Sequence, residues 1–109
     1  MIKFKCLVNG AIAEPVRSRV VLGLEGIYAR RFGLAGESLS VEFTEVEPGL
    51  WFTAGRPSDA SMVLGSVPAG TAQPERVALM DEVARMFSTE TGAVYEHVMV
   101  VAADARPEA

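Results

Sequence analysis

Residues 14–33, EPVRSRVVLGLEGIYARRFG, and residues 73–92, QPERVALMDEVARMFSTETG, are built to one plan. In the first, Glu14-Pro15 opens a run with Val20, Val21, Leu24, Ile27 and Tyr28 at i, i+1, i+4, i+7 and i+8. That is the stripe of an amphipathic helix with proline in its first turn, and Gly33 or Gly36 ends it. In the second, Gln73-Pro74-Glu75-Arg76 opens a helix and Gly92 ends it. The two are in register, because 74 − 15, 76 − 17 and 92 − 33 all equal 59. Under that shift the first stripe lands on Leu79, Met80, Val83, Met86 and Phe87, so the core-facing positions repeat where residue identity does not.

The flanks complete the pattern. Ile2, Phe4, Cys6 and Val8 alternate with Lys3 and Lys5, the period of a half-buried strand, and Asn9-Gly10 closes it. Leu39, Val41 and Phe43 alternate with Ser40, Glu42 and Thr44 in a second strand, broken by Pro48-Gly49. Ser61 to Val67 is a third strand, and His97 to Ala102 is a final, continuously apolar one, with 100 − 41 again equal to 59. The sequence therefore predicts an α+β protein: a tandem β-α-β repeat with pseudo-repeats 1–46 and 60–104 in a single domain spanning 1–109. Right-handed crossovers give a four-stranded mixed sheet with two helices on one face. The connection from Glu47 to Ala60 is too long for a tight hairpin, and Leu50-Trp51-Phe52-Thr53 within it reads as a short extra strand or apolar flap. Two architectures share this element order: the ferredoxin-like split βαβ of dimeric α+β barrels, and a trimeric fold that the long connection favours.

Composition narrows the classes of function. The chain has 109 residues, 10 Lys+Arg, 14 Asp+Glu and a net charge of −4, with half of its residues apolar. An acidic chain with no basic run longer than Arg30-Arg31 has no nucleic-acid or anionic-membrane footprint. The start lacks a signal-peptide core, no apolar stretch approaches the ~18 residues that span a bilayer, and one cysteine makes no internal disulfide, so the expected location is the cytoplasm. The apolar fraction is high for a domain that can bury only ~60–70% of its surface, which points to self-assembly. One Cys, one His and dispersed carboxylates show no ligand spacing for a metal. Gly70 has no phosphate-cradle partner.

The string Val41-Glu42-Phe43-Thr44-Glu45-Val46-Glu47-Pro48-Gly49, then Phe52-Thr53-Ala54-Gly55, then strand, loop, helix and the finish His97-Val98-Met99-Val100-Val101, resembles the tautomerase superfamily. Within it the likeness is to the double-length cis-chloroacrylate dehalogenase and macrophage-migration-inhibitory-factor branches. The resemblance implies a homotrimer with pockets at subunit boundaries. It also implies proton transfer on small keto–enol acids, or hydration of unsaturated acids, with neither metal nor organic cofactor. The family's proton carrier is an N-terminal proline, and here the second residue is Ile2, so the expected terminal group is the primary amine of Met1. Such an amine titrates near ~7.7–8.0, and an apolar pocket can lower that toward neutrality. One extra residue displaces the nitrogen by up to ~3.5 Å from the family's position.

Other family positions also depart from the pattern. The carboxylate-holding arginines of the dehalogenase branch would lie in Pro68-Ala69-Gly70-Thr71, which carries no charge. The last strand's polar residue falls at Val101, and the helix-borne imidazole falls at Tyr28. What persists is the backbone N–H of Val67 as an oxyanion donor and the phenol of Tyr28. The candidate set is Met1 and Tyr28 as catalytic groups, with Val67, Thr71, Val101 and Arg56 as substrate contacts. Arg56 follows the flap, where it can reach a pocket mouth or pair with Asp59. His97, the sole histidine, reads as a boundary residue, and Cys6 as a packed thiol.

Three functions are consistent with these residues. The first is a tautomerase-like isomerase or hydratase using the Met1 amine on a small apolar or keto–enol ligand, with weak or altered turnover. The second is a catalytically silent ligand-binding or structural subunit of the same fold, pairing with an active paralogue. The third is a dimeric α+β-barrel protein of the cofactor-free monooxygenase kind.

Overall fold

The computed structural model describes residues 2–105. In chain order the elements are β1 (Ile2–Asn9), α1 (Glu14–Phe32), β2 (Leu39–Val46), β3 (Phe52–Thr53), β4 (Arg56–Pro57), β5 (Ser61–Val67), α2 (Gln73–Thr91) and β6 (Val98–Asp104). Short 3-10 turns, Gly36–Ser38 and Tyr95–His97, lead into β2 and β6. The last strand thus begins one residue later than the sequence suggests, because His97 closes a turn with its N–H on Val94 O at 2.9 Å.

Both helices start and stop by the same backbone devices. Each has proline in its first turn, where the missing N–H has no intrahelical partner to lose, and neither N-cap alanine, Ala13 or Ala72, supplies a side-chain cap. Each ends on a glycine in the left-handed region, Gly33 (φ 67) and Gly92 (φ 79), whose N–H returns to Ala29 O and Ser88 O at 2.9 Å.

The four long strands lie in the order β2-β1-β5-β6. β1 pairs with β2 in parallel, β5 with β6 in parallel, and β1 with β5 antiparallel. The strands joined by each helix are therefore direct neighbours. In a split βαβ unit another strand lies between them, so the dimeric α+β-barrel alternative is overturned by this order. Element bounds recur at one spacing: 73 − 14 and 91 − 32 for the helices, 95 − 36 for the turns and 98 − 39 for the strands that follow, all 59. At the centre Lys5 pairs with Leu64, its own counterpart at that spacing, which sets a local two-fold between β1 and β5.

The helices cover one face. Ile2, Phe4, Cys6 and Val8 from β1 and Val63 and Val67 from β5 are buried under Val20, Leu24, Ile27 and Tyr28 of α1 and Leu79, Val83 and Phe87 of α2. Each large apolar side chain so buried contributes about 1.5–3 kcal/mol. The opposite face carries Lys3 and Lys5 beside Leu7, Met62, Leu64, Met99 and Val101, of which Met99 is 54% and Val101 44% exposed. No helix among the described residues is long and apolar enough to cross a membrane.

The connection between the halves differs from the single extra strand expected. It is a two-stranded hairpin, Phe52 opposite Pro57 and Thr53 opposite Arg56, turned by Ala54 (φ 53) and Gly55 (φ 77). Two consecutive positive φ values are the signature of a tight hairpin turn whose twist matches its strands.

Candidate active site

The starts of β1 and β2 and the ends of β5 and β6 share one end of the sheet, since Ile2 pairs with Leu39 and Val67 with Asp104. The site proposed from sequence centres there. Met1 itself lies outside the described residues.

Tyr28 reaches this end from α1, but as a core residue. It is 1% exposed, packs edge-on against Phe4 and Phe32 with ring centroids 5.0 and 5.2 Å apart, and its hydroxyl donates to Ser66 O at 2.8 Å. Burial pushes the phenol's pKa well above its ordinary value. The proton is thus committed to a backbone carbonyl, and the group holds α1 to β5.

Val67 is buried, and Ala105 N–H donates to its carbonyl at 2.7 Å. In a parallel ladder the N–H and C=O of one residue point to the same neighbouring strand. With Val67 opposite Asp104, its N–H therefore faces β6 as well and joins the ladder. Thr71 is half-buried in the loop before α2, where its hydroxyl donates to Pro68 O at 2.6 Å and its carbonyl accepts Arg76 Nε at 3.1 Å.

Arg76 is the residue that sequence reasoning left unassigned at this end. Its side chain is 17% exposed, donates to Ala102 O at 2.8 Å and pairs with Asp104. The first half repeats the arrangement: Arg17 Nε donates to Ile12 O at 3.2 Å and its guanidinium pairs with Glu45 at 3.3 Å. The pairs match at the same spacing, 76 − 17, 71 − 12 and 104 − 45, and that spacing was the available signal. Both arginines brace a helix start against an edge strand, and neither offers a free clamp for a substrate carboxylate.

The remaining candidates stand apart. Val101 projects from β6 on the face away from the helices, opposite to the buried side of Val67. Arg56 is exposed in β4, at the end of the sheet where β2 finishes and β5 begins. The seven residues of β5 separate that end from Val67, about 20 Å at strand rise, so Arg56 cannot join Tyr28, Val67 and Thr71 within one chain. Nor does it pair with Asp59: that carboxylate lies 2.8 Å from His97 Nδ1 instead. Among the described residues no group of three or more His, Cys, Asp or Glu side chains is arranged to hold a metal ion.

No family model matches the chain, and no curated protein does. Solved structures do. Native Ps01740 is 29% identical over 94% of this chain and 93% of its own, with a TM-score of 0.85. N1, a member of the cis-3-chloroacrylic acid dehalogenase family, is 16% identical over 94% of this chain and 74% of its own, with a TM-score of 0.86. Native fused 4-OT is 17% identical over 94% of this chain and 86% of its own, with a TM-score of 0.80. The chain has the fold of the tautomerase superfamily.

Proposed function

We propose that this chain is a homotrimeric tautomerase-superfamily protein that moves a proton on a small keto–enol or unsaturated compound, at a reduced or altered rate, through the leading amine of Met1. The observation that carries this reading is the strand order β2-β1-β5-β6, in which β1 starts beside the end of β5, in a fold shared with the fused 4-OT and cis-3-chloroacrylic acid dehalogenase-family structures. Fused 4-OT forms trimers. An uncovered sheet face with Leu7, Met62, Leu64, Met99 and Val101 supports assembly here, because a patch of that kind gains most by meeting another copy. Arg76 is engaged by Asp104, Ala102 O and Thr71 O, so the ligand is less anionic than the family's acids.

A second reading has its own support. Tyr28 donates to Ser66 O and the main chain of Val67 faces β6, so neither oxyanion donor expected from sequence is free. That favours a catalytically silent ligand-binding or structural subunit. One experiment separates the readings: ketonisation of phenylenolpyruvate followed by its ultraviolet absorbance, for native protein and protein selectively acetylated at its leading amine, with the solution mass measured alongside. Proton transfer by the amine predicts a slow native rate that acetylation reduces to the solvent rate. Equal background rates establish the silent subunit, and a rate indifferent to acetylation removes the amine from the mechanism.

A further inference from the structure

We infer that a second small-molecule site lies at the other end of the sheet, where β1 ends and β5 begins, and that it takes a compact apolar compound bearing an amine or hydroxyl donor. A cavity of about 330 Å³ opens there, walled by Val8, Ile12 and Phe87 and edged by Asn9, Asp59 and Ser61. That volume is at the lower end of what small ligands occupy.

The cavity exists because of a specific set of size differences. At the spacing of 59, Ser61 stands where the first half has Ile2, Phe87 where it has Tyr28, Thr91 where it has Phe32, and Ala93 where it has Leu34. At the first end those four side chains are packed into or against the core, and the Tyr28 hydroxyl reaches Ser66 O. At the second end each is replaced by a smaller one, and all four replacements line the void. One backbone plan, filled in one half and hollowed in the other, leaves room that close packing would otherwise remove.

The polar edge selects the ligand. Asp59 is the sole charged residue lining the cavity among the described residues. One of its oxygens lies 2.8 Å from His97 Nδ1, and its side chain is 71% exposed, which leaves the carboxylate able to accept from a ligand donor. No Lys or Arg lines the cavity among the described residues, and Arg17, near the same rim, is tied to Ile12 O and Glu45. A carboxylate over an apolar pocket favours an ammonium or hydroxyl group and repels an acid. This inference is independent of the proton-transfer reading above, which concerns the opposite end.

The test is an amide NMR titration of the assembled, 15N-labelled protein with three probes of one size: benzylamine, benzyl alcohol and benzoate. Saturable shifts are expected at Val8, Phe87 and Ala93 for the amine and the alcohol, with benzoate at least tenfold weaker. Ala93→Leu, which restores the larger residue of the other half, should abolish the shifts. Asp59→Asn, at an exposed position that does not threaten folding, should weaken benzylamine at least fivefold. Absence of saturable shifts with both donors, equal binding of benzoate, unaltered binding in a folded Ala93→Leu protein, or an unchanged benzylamine affinity in Asp59→Asn would each overturn the proposal.

Discussion

The two βαβ units hold their helices to the sheet by different means. In the first, Phe4 stands edge-on to Tyr28, Tyr28 to Phe32, and the phenol hydroxyl anchors to Ser66 O on the neighbouring unit's strand. In the second, Val63 occupies the position of Phe4, Phe87 that of Tyr28 and Thr91 that of Phe32, so the aromatic stack is absent and a cavity adjoins Phe87. Identical helix lengths and caps therefore do not require identical cores. Backbone geometry repeats because helix ends and strand register repeat, whereas the interior is free to pack tightly on one side and remain open on the other.

The largest test of this contrast is at the interlock between Phe4 and Gly65. The two are paired across β1 and β5, and a methyl built on Gly65 would lie 2.7 Å from Phe4 Cδ1, with the ring held from behind by Tyr28. Phe4→Ala should cost about 3–5 kcal/mol in denaturant unfolding, as for other buried phenylalanines. Gly65→Ala should cost about 1–3 kcal/mol by overpacking. In the double variant the new methyl finds space, so the costs should fall short of additive by ~0.5–3 kcal/mol. Strict additivity would mean that the ring and the glycine do not depend on each other.

Next in size is the hydroxyl that only one unit carries. Tyr28→Phe leaves Ser66 O without its donor and should destabilise by about 1–2 kcal/mol. The reciprocal Phe87→Tyr places a hydroxyl beside the cavity and should change stability by less than ~0.5 kcal/mol. Equal costs at the two positions would show that the two cores are packed alike after all.

The fold was legible from sequence because its signals are periodic. Alternation marked β1 and β2, the stripe from Val20 to Tyr28 and its repeat marked the helices, and Pro15, Pro74, Gly33 and Gly92 marked their ends. The hairpin was half legible: Phe52-Thr53 was found, but Arg56-Pro57 carries no strand propensity and pairs because the Ala54-Gly55 turn brings it back. The chemistry was harder to read. Which way the Val67 N–H points follows from its register with Asp104, and what Tyr28 does with its proton follows from the position of Ser66, neither of which a single chain position encodes. The size differences at Ser61, Phe87, Thr91 and Ala93 were present in the sequence. They became informative only once pairing residues across the spacing of 59 showed which side chain each one replaces.

The smallest effect concerns Cys6, whose counterpart at the same spacing is Gly65. Cys6 is fully buried between the sheet and the helices, and loss of hydration pushes its thiol up to about 12. A thiol whose folded pKa lies above its unfolded value near 9 contributes its full stability below that unfolded value. The contribution is lost as pH rises from about 9 toward 12, because the unfolded chain gives up the proton first. At neutral pH the folded protein should therefore resist iodoacetamide over hours while unfolded protein is alkylated at once, with mass spectrometry as the readout. Cys6→Ala should make the alkaline fall in stability shallower above pH 9, against a background to which Tyr28 also contributes. Rapid alkylation of folded protein would place the thiol outside the packed core, and with it the seam that joins the two units.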